Sequence, residues 1–328
     1  MTTDQITYLV FGIVLVLALV FDLGLLSKKS QKVTIRQALY QTFFWVGLAL
    51  AFFIFMWVGN GEVIALEYLS AYFMEWSLSI DNIFVFILIF TYFKVKETDA
   101  GRALLIGILL AIVFRILFIW LGIELIDRFH WLLYVFGAFL LYTGFNLFFK
   151  KDEEEYNPAN TAIYKWTNKI FRMSHVDPKG RFIVMHKGKI FFTTLSTVVL
   201  MLAATDIVFA LDSIPTVVSL VRESAETPFT NNDILVIYSS NIFAVLGLRS
   251  LFFLLRGAVD KFDYLQQGIA IVLIFIGIKM LIEFFDIHIS IYISLAVIVA
   301  CLGGSILYSQ YATRKGTPPE MEDGSIDL

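Results

Sequence analysis

The chain has 328 residues, 59% of them hydrophobic and 16% charged, with a mean hydropathy of +0.79. A soluble domain carries about 25% charged residues, so this composition describes a polytopic membrane protein whose core forms against lipid and between helices. The formal net charge of −3 comes with no basic run, which argues against a nucleic-acid partner, and the single cysteine, Cys301, cannot form an intrachain disulfide.

A spanning helix needs about 20 mainly apolar residues. Nine segments qualify in chain order: 6–26, 39–58, 63–93, 103–123, 131–149, 190–221, 234–255, 264–285 and 289–308. The alternative is an even count, reached by splitting the third or merging the last two. The first segment has no basic stretch before it, so it does not read as a secretory signal. With the N-terminus outside, 20 of the 25 lysines and arginines fall in cytoplasmic segments, two in outer loops and three inside spans. That bias sets the N-terminus outside and the C-terminus in the cytoplasm. The long loop at 150–189 opens on a polar, breaker-rich run. Residues 164–173 could form a short amphipathic surface helix and 182–185 a strand-like turn, although a solvated basic linker is the plainer reading. The expectation is one transmembrane domain over 1–310 and a disordered cytoplasmic tail over 311–328.

Two of the segments carry acids. Glu75 to Phe86 reads EWSLSIDNIFVF, and Asp206 to Val217 reads DIVFALDSIPTV. Each follows acid, five residues, Asp, then Asn or Ser, then Ile, and the two lie 131 positions apart. The echo extends further. Ala111 to Arg115 matches Ala244 to Arg249, and Gly144 to Asn146 matches Gly277 to Lys279, at offsets of 134 and 133. Spans 3–5 therefore repeat as spans 6–8, over about 63–149 and 190–285. Three is odd, so the second copy enters from the opposite side. The fold expected is an all-α helix bundle of about nine spans with an inverted three-helix repeat, and its site lies at the midplane between the copies. Chance resemblance between apolar helices is the competing account.

An ionisable group deep in a bilayer costs at least ~2.5–3.5 kcal/mol and is rarely left without a role or partner. On an unbroken helix Glu75 and Asp81 stand about 120° apart, while Glu75 shares a face with Asn82, and Asp206 with Ser213. Spans 3 and 6 are long, and Pro215 removes a backbone bond in the second, so both helices are expected to break near Asp81 and Asp212. Carboxylate, amide and hydroxyl oxygens form a ligand set for a hard cation such as Mn²⁺, Mg²⁺ or Ca²⁺. Glu75, Asp81, Asn82, Asp206, Asp212 and Ser213 are the candidate ligands, with Arg115, Arg249 and Lys279 as counter-charges inside the membrane. The plainer alternative is that Asp81 and Asp212 pair with those bases and only hold helices together. Glu67, near the outer end of span 3, is a weaker possible ligand, with simple solvation as the alternative. Asn241 reads as a helix–helix hydrogen bond, with ligation the rarer alternative. Equivalent carboxylates meeting at a pseudo-two-fold axis would hold a proton when empty and release it to an arriving cation.

These motifs, with Ser240 to Arg249 and Gly277 to Leu281, resemble the TerC/Alx family of bacterial integral membrane proteins over about residues 1–310. The resemblance implies an inner-membrane protein of the LysE-like transporter superfamily, linked to manganese efflux and, by older naming, to tellurium resistance. It places the family's acidic motif on the six ligand candidates. The chain departs at Ala203, where the family usually has Glu, and at Trp76, where it usually has Lys. The function implied is export of a divalent cation, Mn²⁺ favoured, by alternating access, with lipid, the cation and protons as partners. No resident cofactor or catalytic step is expected, and the oligomeric state is unread. No Gly-x4-Gly-Lys-Ser/Thr motif is present, so the driving force would be protons or membrane potential. The alternatives are a membrane-protein assembly or insertion factor and a tellurium-resistance-associated protein without transport.

Overall fold

A computed structural model describes residues 3–27, 34–129, 131–149, 181–186, 189–221, 229–256, 265–285, 287 and 289–316. Among them are nine helices of 18 residues or more: α1 (Thr3–Ser27), α2 (Ile35–Asn60), α3 (Glu62–Tyr92), α4 (Glu97–Arg128), α5 (Leu132–Phe149), α6 (Thr194–Val221), α7 (Asn231–Leu255), α8 (Leu265–Ile282) and α9 (Ile291–Gly316). A 3₁₀ turn at Glu283–Phe285 follows α8. By length and composition α2, α5 and α7, with most of α4 and α9, are long and apolar enough to cross a membrane, and α1, α6 and α8 hold shorter apolar stretches.

Helix ends follow local chemistry. Thr34 and Gln37 form a reciprocal capping box at the start of α2, and Thr230 and Asp233 form one at the start of α7. Each satisfies two backbone donors that the first turn leaves without partners. Between α2 and α3 there is a single residue, Gly61, at φ +100°, whose N–H donates to the Met56 carbonyl. Only glycine takes that conformation without strain, so the chain reverses there without a loop.

The acid-bearing helices α3 and α6 are each continuous, Pro215 included. The expected breaks at Asp81 and Asp212 are absent. A proline removes one backbone bond, and the bonds on either side, with packing against neighbouring helices, carry the helix through. At 1.5 Å per residue α3 extends ~46 Å against a hydrocarbon core of ~30 Å, so its excess length goes into tilt or protrusion. Residues 182–185 do contribute a strand: Ile183–His186 pairs antiparallel with Lys189–Phe192, Ile183 opposite Phe192. Residues 190–193, assigned to span 6 by their apolarity, thus belong to a hairpin ahead of α6. Thr193 Oγ1 and Ser196 Oγ donate to the Arg181 and Phe182 carbonyls, and the Arg102 guanidinium lies 5.7 Å from the Phe182 ring, which together pin the hairpin to α6 and α4. The expected surface helix at 164–173 lies outside the described residues. The last helix, α9, continues to Gly316, past the start of the segment read as a tail, and 317–328 lie outside the described residues.

Helix α7 is deeply enclosed, with 18 of its 25 residues buried. It packs on α3, α2 and α4, while α6 packs on α4 and α3. The pair α5 and α8 is packed closely along glycines. A Cβ on Gly144 would lie 2.9 Å from the Ala270 carbonyl oxygen and 3.0 Å from the Ile274 nitrogen; one on Gly277 would lie 2.8 Å from the Gly137 carbonyl oxygen and 2.9 Å from the Leu141 nitrogen. Small residues at such interfaces let membrane helices gain van der Waals contact where no hydrophobic drive exists.

Candidate cation site

The site sits where α3, α4, α6 and α7 meet. Glu75 comes from α3, Arg115 from α4, Asp206 from α6 and Asn241 from α7, and all four are buried to within 1% exposure. Arg115 donates from Nε to Asp206 Oδ2 at 2.9 Å and from Nη2 to Asp206 Oδ1 at 3.1 Å. Its Nη1 donates to Glu75 Oε2 at 2.6 Å and to Asn241 Oδ1 at 2.8 Å. Asn241 is oriented in turn by its amide, which donates to the Ile237 carbonyl at 3.2 Å. The planar guanidinium suits this role because its fixed fork can hold one carboxylate bidentately while reaching two other acceptors.

Glu75 and Asp206 occupy the same place in the two acidic motifs, and they meet on one cation. Arg115 lies between these equivalent acids and supplies a positive charge to both. Arg115 was expected as a counter-charge, but to Asp81 or Asp212. Two carboxylates and one guanidinium still leave a formal surplus of one negative charge. Glu75 Oε1 finds no hydrogen-bond partner among the described residues, and neither do Ser77 Oγ, Ser79 Oγ, Asn82 Nδ2 or Ser213 Oγ, all buried. A buried polar atom left unpaired costs about 1–3 kcal/mol, so such a set invites a ligand or water.

Of the other candidates, Asn82 and Ser213 are buried at 2% and 1% exposure on α3 and α6. The backbones of Asp81 and Asp212 are helical, and their side chains lie outside the described residues. Arg249 is buried in α7. Lys279 of α8 donates from Nζ to the Ser219 carbonyl at 2.7 Å, so it ties α8 to the last turn of α6. Glu67 is 7% exposed, which overturns the alternative that it is simply solvated: α3 enters the bundle within its first two turns. Asn241 makes the interhelical hydrogen bond expected of it. Ser77 and Ser79 were not singled out from sequence. Ser79 stands one turn past Glu75, and that i, i+4 spacing was the available signal. Among the described residues no group of three or more His, Cys, Asp or Glu could hold a metal ion, so the six-residue ligand set is not gathered by the described side chains alone.

The sequence profile of the integral membrane protein TerC family matches residues 60–317. An uncharacterized membrane protein of Myxococcus xanthus is 39% identical over 296 residues, which cover 90% of this chain and 89% of that protein. Another from Rickettsia felis is 35% identical over 303 residues, 92% of this chain and 97% of that one. Alx of Salmonella typhi, described as a candidate membrane-bound redox modulator, is 38% identical over 301 residues, 89% of this chain and 90% of its own. No solved structure matches the chain.

Proposed function

The chain belongs to the TerC family of integral membrane proteins, and we propose that it exports a divalent cation, Mn²⁺ by preference, across the bacterial inner membrane. The observation that carries this reading is the clasp itself. Two acids from separate motifs converge on Arg115, one acid oxygen is left over, and the formal charge remains negative. A purely structural ion pair needs one acid per base; a second acid at the bilayer's core is expensive unless something uses it.

In this proposal Arg115 stands in for the cargo while the site is empty. An arriving divalent cation takes the negative edge of Glu75 and Asp206 from the guanidinium, and Arg115 keeps Asn241 as acceptor. Asp81, Asn82, Asp212 and Ser213 complete an oxygen-only ligand set of the kind hard cations take. The nine helices are read as nine spans, N-terminus outside and C-terminus in the cytoplasm, with spans 3–5 and 6–8 as inverted copies. Helix packing supports the repeat. A shift of 133 carries Gly144 to Gly277, Gly137 to Ala270 and Leu141 to Ile274, and with it the close contacts at Gly144 become those at Gly277. The exchange also turns α3 on α7 into α6 on α4. The redox role in Alx's description is not adopted, because one cysteine provides no intrachain dithiol couple.

The test is flux in proteoliposomes of the purified protein, with Mn²⁺, Mg²⁺, Ca²⁺ and Zn²⁺ compared. Mn²⁺ flux that Asp81→Asn and Asp212→Asn each abolish, with membrane insertion intact, is the expected result. Normal Mn²⁺ flux in both variants, or no flux of any of the four ions in the parent protein, overturns the proposal.

A further inference from the structure

A second feature lies on the opposite side of α3. A pocket of about 230 Å³ opens between α3 and α9, its lining including Phe73, Trp76 and Ser77 of α3 and Ile298, Leu302 and Gly303 of α9. The walls are apolar except for one group. Ser77 is 3% exposed, and its Oγ has no partner among the described residues. Gly303 leaves the floor open, since a Cβ there would meet no atom within 4 Å.

The lining divides by chemistry. Phe73 and Trp76 offer flat aromatic faces from α3, and α9 offers branched aliphatic side chains. Ser77 stands fifteen residues from Glu62 and fifteen from Tyr92, at the middle of α3; with α3 centred on the bilayer, that is mid-depth. That depth selects among lipophilic ligands. The hydrogen-bonding groups of a phospholipid stay at the headgroups, ~15 Å away. A ligand that satisfies Ser77 carries its oxygen on an apolar body at mid-bilayer depth. We propose that this pocket binds a lipophilic quinone, its ring between Phe73 and Trp76, its carbonyl accepting from Ser77 Oγ, and its tail running along α9 into lipid. The volume lies below the roughly 300–1,000 Å³ of pockets that enclose a whole ligand, as suits a site that takes a ring and leaves the tail outside. The inference is independent of cation transport and needs only that α3 crosses the bilayer centred near Ser77.

The probe is decylubiquinone, titrated into the full-length protein in nanodiscs and read by quenching of tryptophan fluorescence. Saturable quenching that disappears in Trp76→Phe is expected. Ser77→Ala should weaken binding by between about twofold and tenfold, the worth of one neutral hydrogen bond. Gly303→Leu should remove the saturable component by filling the floor. Decylbenzene, which has the tail and no carbonyl, should fail to compete on the unsubstituted protein. Linear quenching unaffected by Gly303→Leu would show partition into lipid and overturn the site. Equal competition by decylbenzene, with Ser77→Ala binding unchanged, would make the pocket an acyl-chain groove and overturn the quinone. The competition uses unsubstituted protein, so a misfolded variant cannot decide the outcome.

Discussion

Replacing Arg115 with methionine keeps an unbranched side chain in α4 and removes the cation shared by Glu75 and Asp206. Four donated hydrogen bonds are lost, at 2.6 to 3.1 Å, all between groups within 2% exposure. Removing one partner of a buried ion pair costs about 3–5 kcal/mol, because the remaining charge has no solvent to return to. Here two carboxylates are stranded, so ~3 kcal/mol is the lower bound. Replacing all three charged groups, as Arg115→Met with Glu75→Leu and Asp206→Leu, should recover most of the loss, since an apolar cluster of similar volume is often neutral or better. The assay is reversible unfolding by dodecyl sulfate in mixed micelles, followed by tryptophan fluorescence. Saturating Mn²⁺ adds a second arm: if it binds the bared acids, an ion at 100 times its Kd returns ~2.7 kcal/mol to Arg115→Met. A single variant within ~0.5 kcal/mol of the parent, or a triple variant no more stable than the single, would refute the clasp as an energetic unit.

Further expectations follow from the same geometry. Asn241→Ala removes the acceptor for Arg115 Nη1 and should cost about 1.5–3 kcal/mol in the same unfolding assay, the range for a hydrogen bond to a charged group. Gly277→Ala would place a methyl 2.8 Å from a backbone oxygen, so α5 and α8 must separate, and the variant should melt well below the parent in detergent. In a Cys301→Ala background, cysteines placed at 165 and 315 should resist an impermeant reagent applied outside; labelling of either would overturn the nine-span reading. Mn²⁺ affinity should fall as pH drops, because protons compete for carboxylate oxygens, and binding should release protons measurable by a pH indicator.

Much of the helix order was legible because an apolar run of about 20 residues has few other uses. The hairpin strand at 189–192 was missed for the same reason: Lys-Ile-Phe-Phe is as apolar as the start of a span, and its register with 183–186 is not visible locally. Glu75 and Asp206 were legible from their matched spacing. Arg115 was legible as one of three candidate counter-charges, but which acids it would meet was not. Arg115 lies 40 and 91 residues from them, and spacing along the chain does not say which face α4 turns to α3 and α6. The helix break was over-read from Pro215, whose lost bond is one among many. The burial of Glu67 was not legible because position along a span says nothing of whether that face meets solvent or a neighbouring helix.

The clasp also constrains any motion. Arg115 and Glu75 belong to the first set of three helices, and Asp206 and Asn241 to the second, so three of the four hydrogen bonds that Arg115 donates run between the sets and the one to Glu75 lies within the first. The glycine-packed pair of α5 and α8 joins them again at another place. If the two sets rock against each other, the interface at α5 and α8 is too close to slide, because backbone atoms already touch backbone atoms. It serves as the pivot, and the clasp, on the other helices, must open. Opening it with nothing in exchange would strand charges at a cost of several kcal/mol. A ligand shifts such an equilibrium only by its differential affinity for the two states. A cation that met Glu75 and Asp206 as Arg115 left would provide that difference, and a neutral solute would not. The same arrangement that makes the empty protein rigid would therefore make its movement depend on the charge of what it carries.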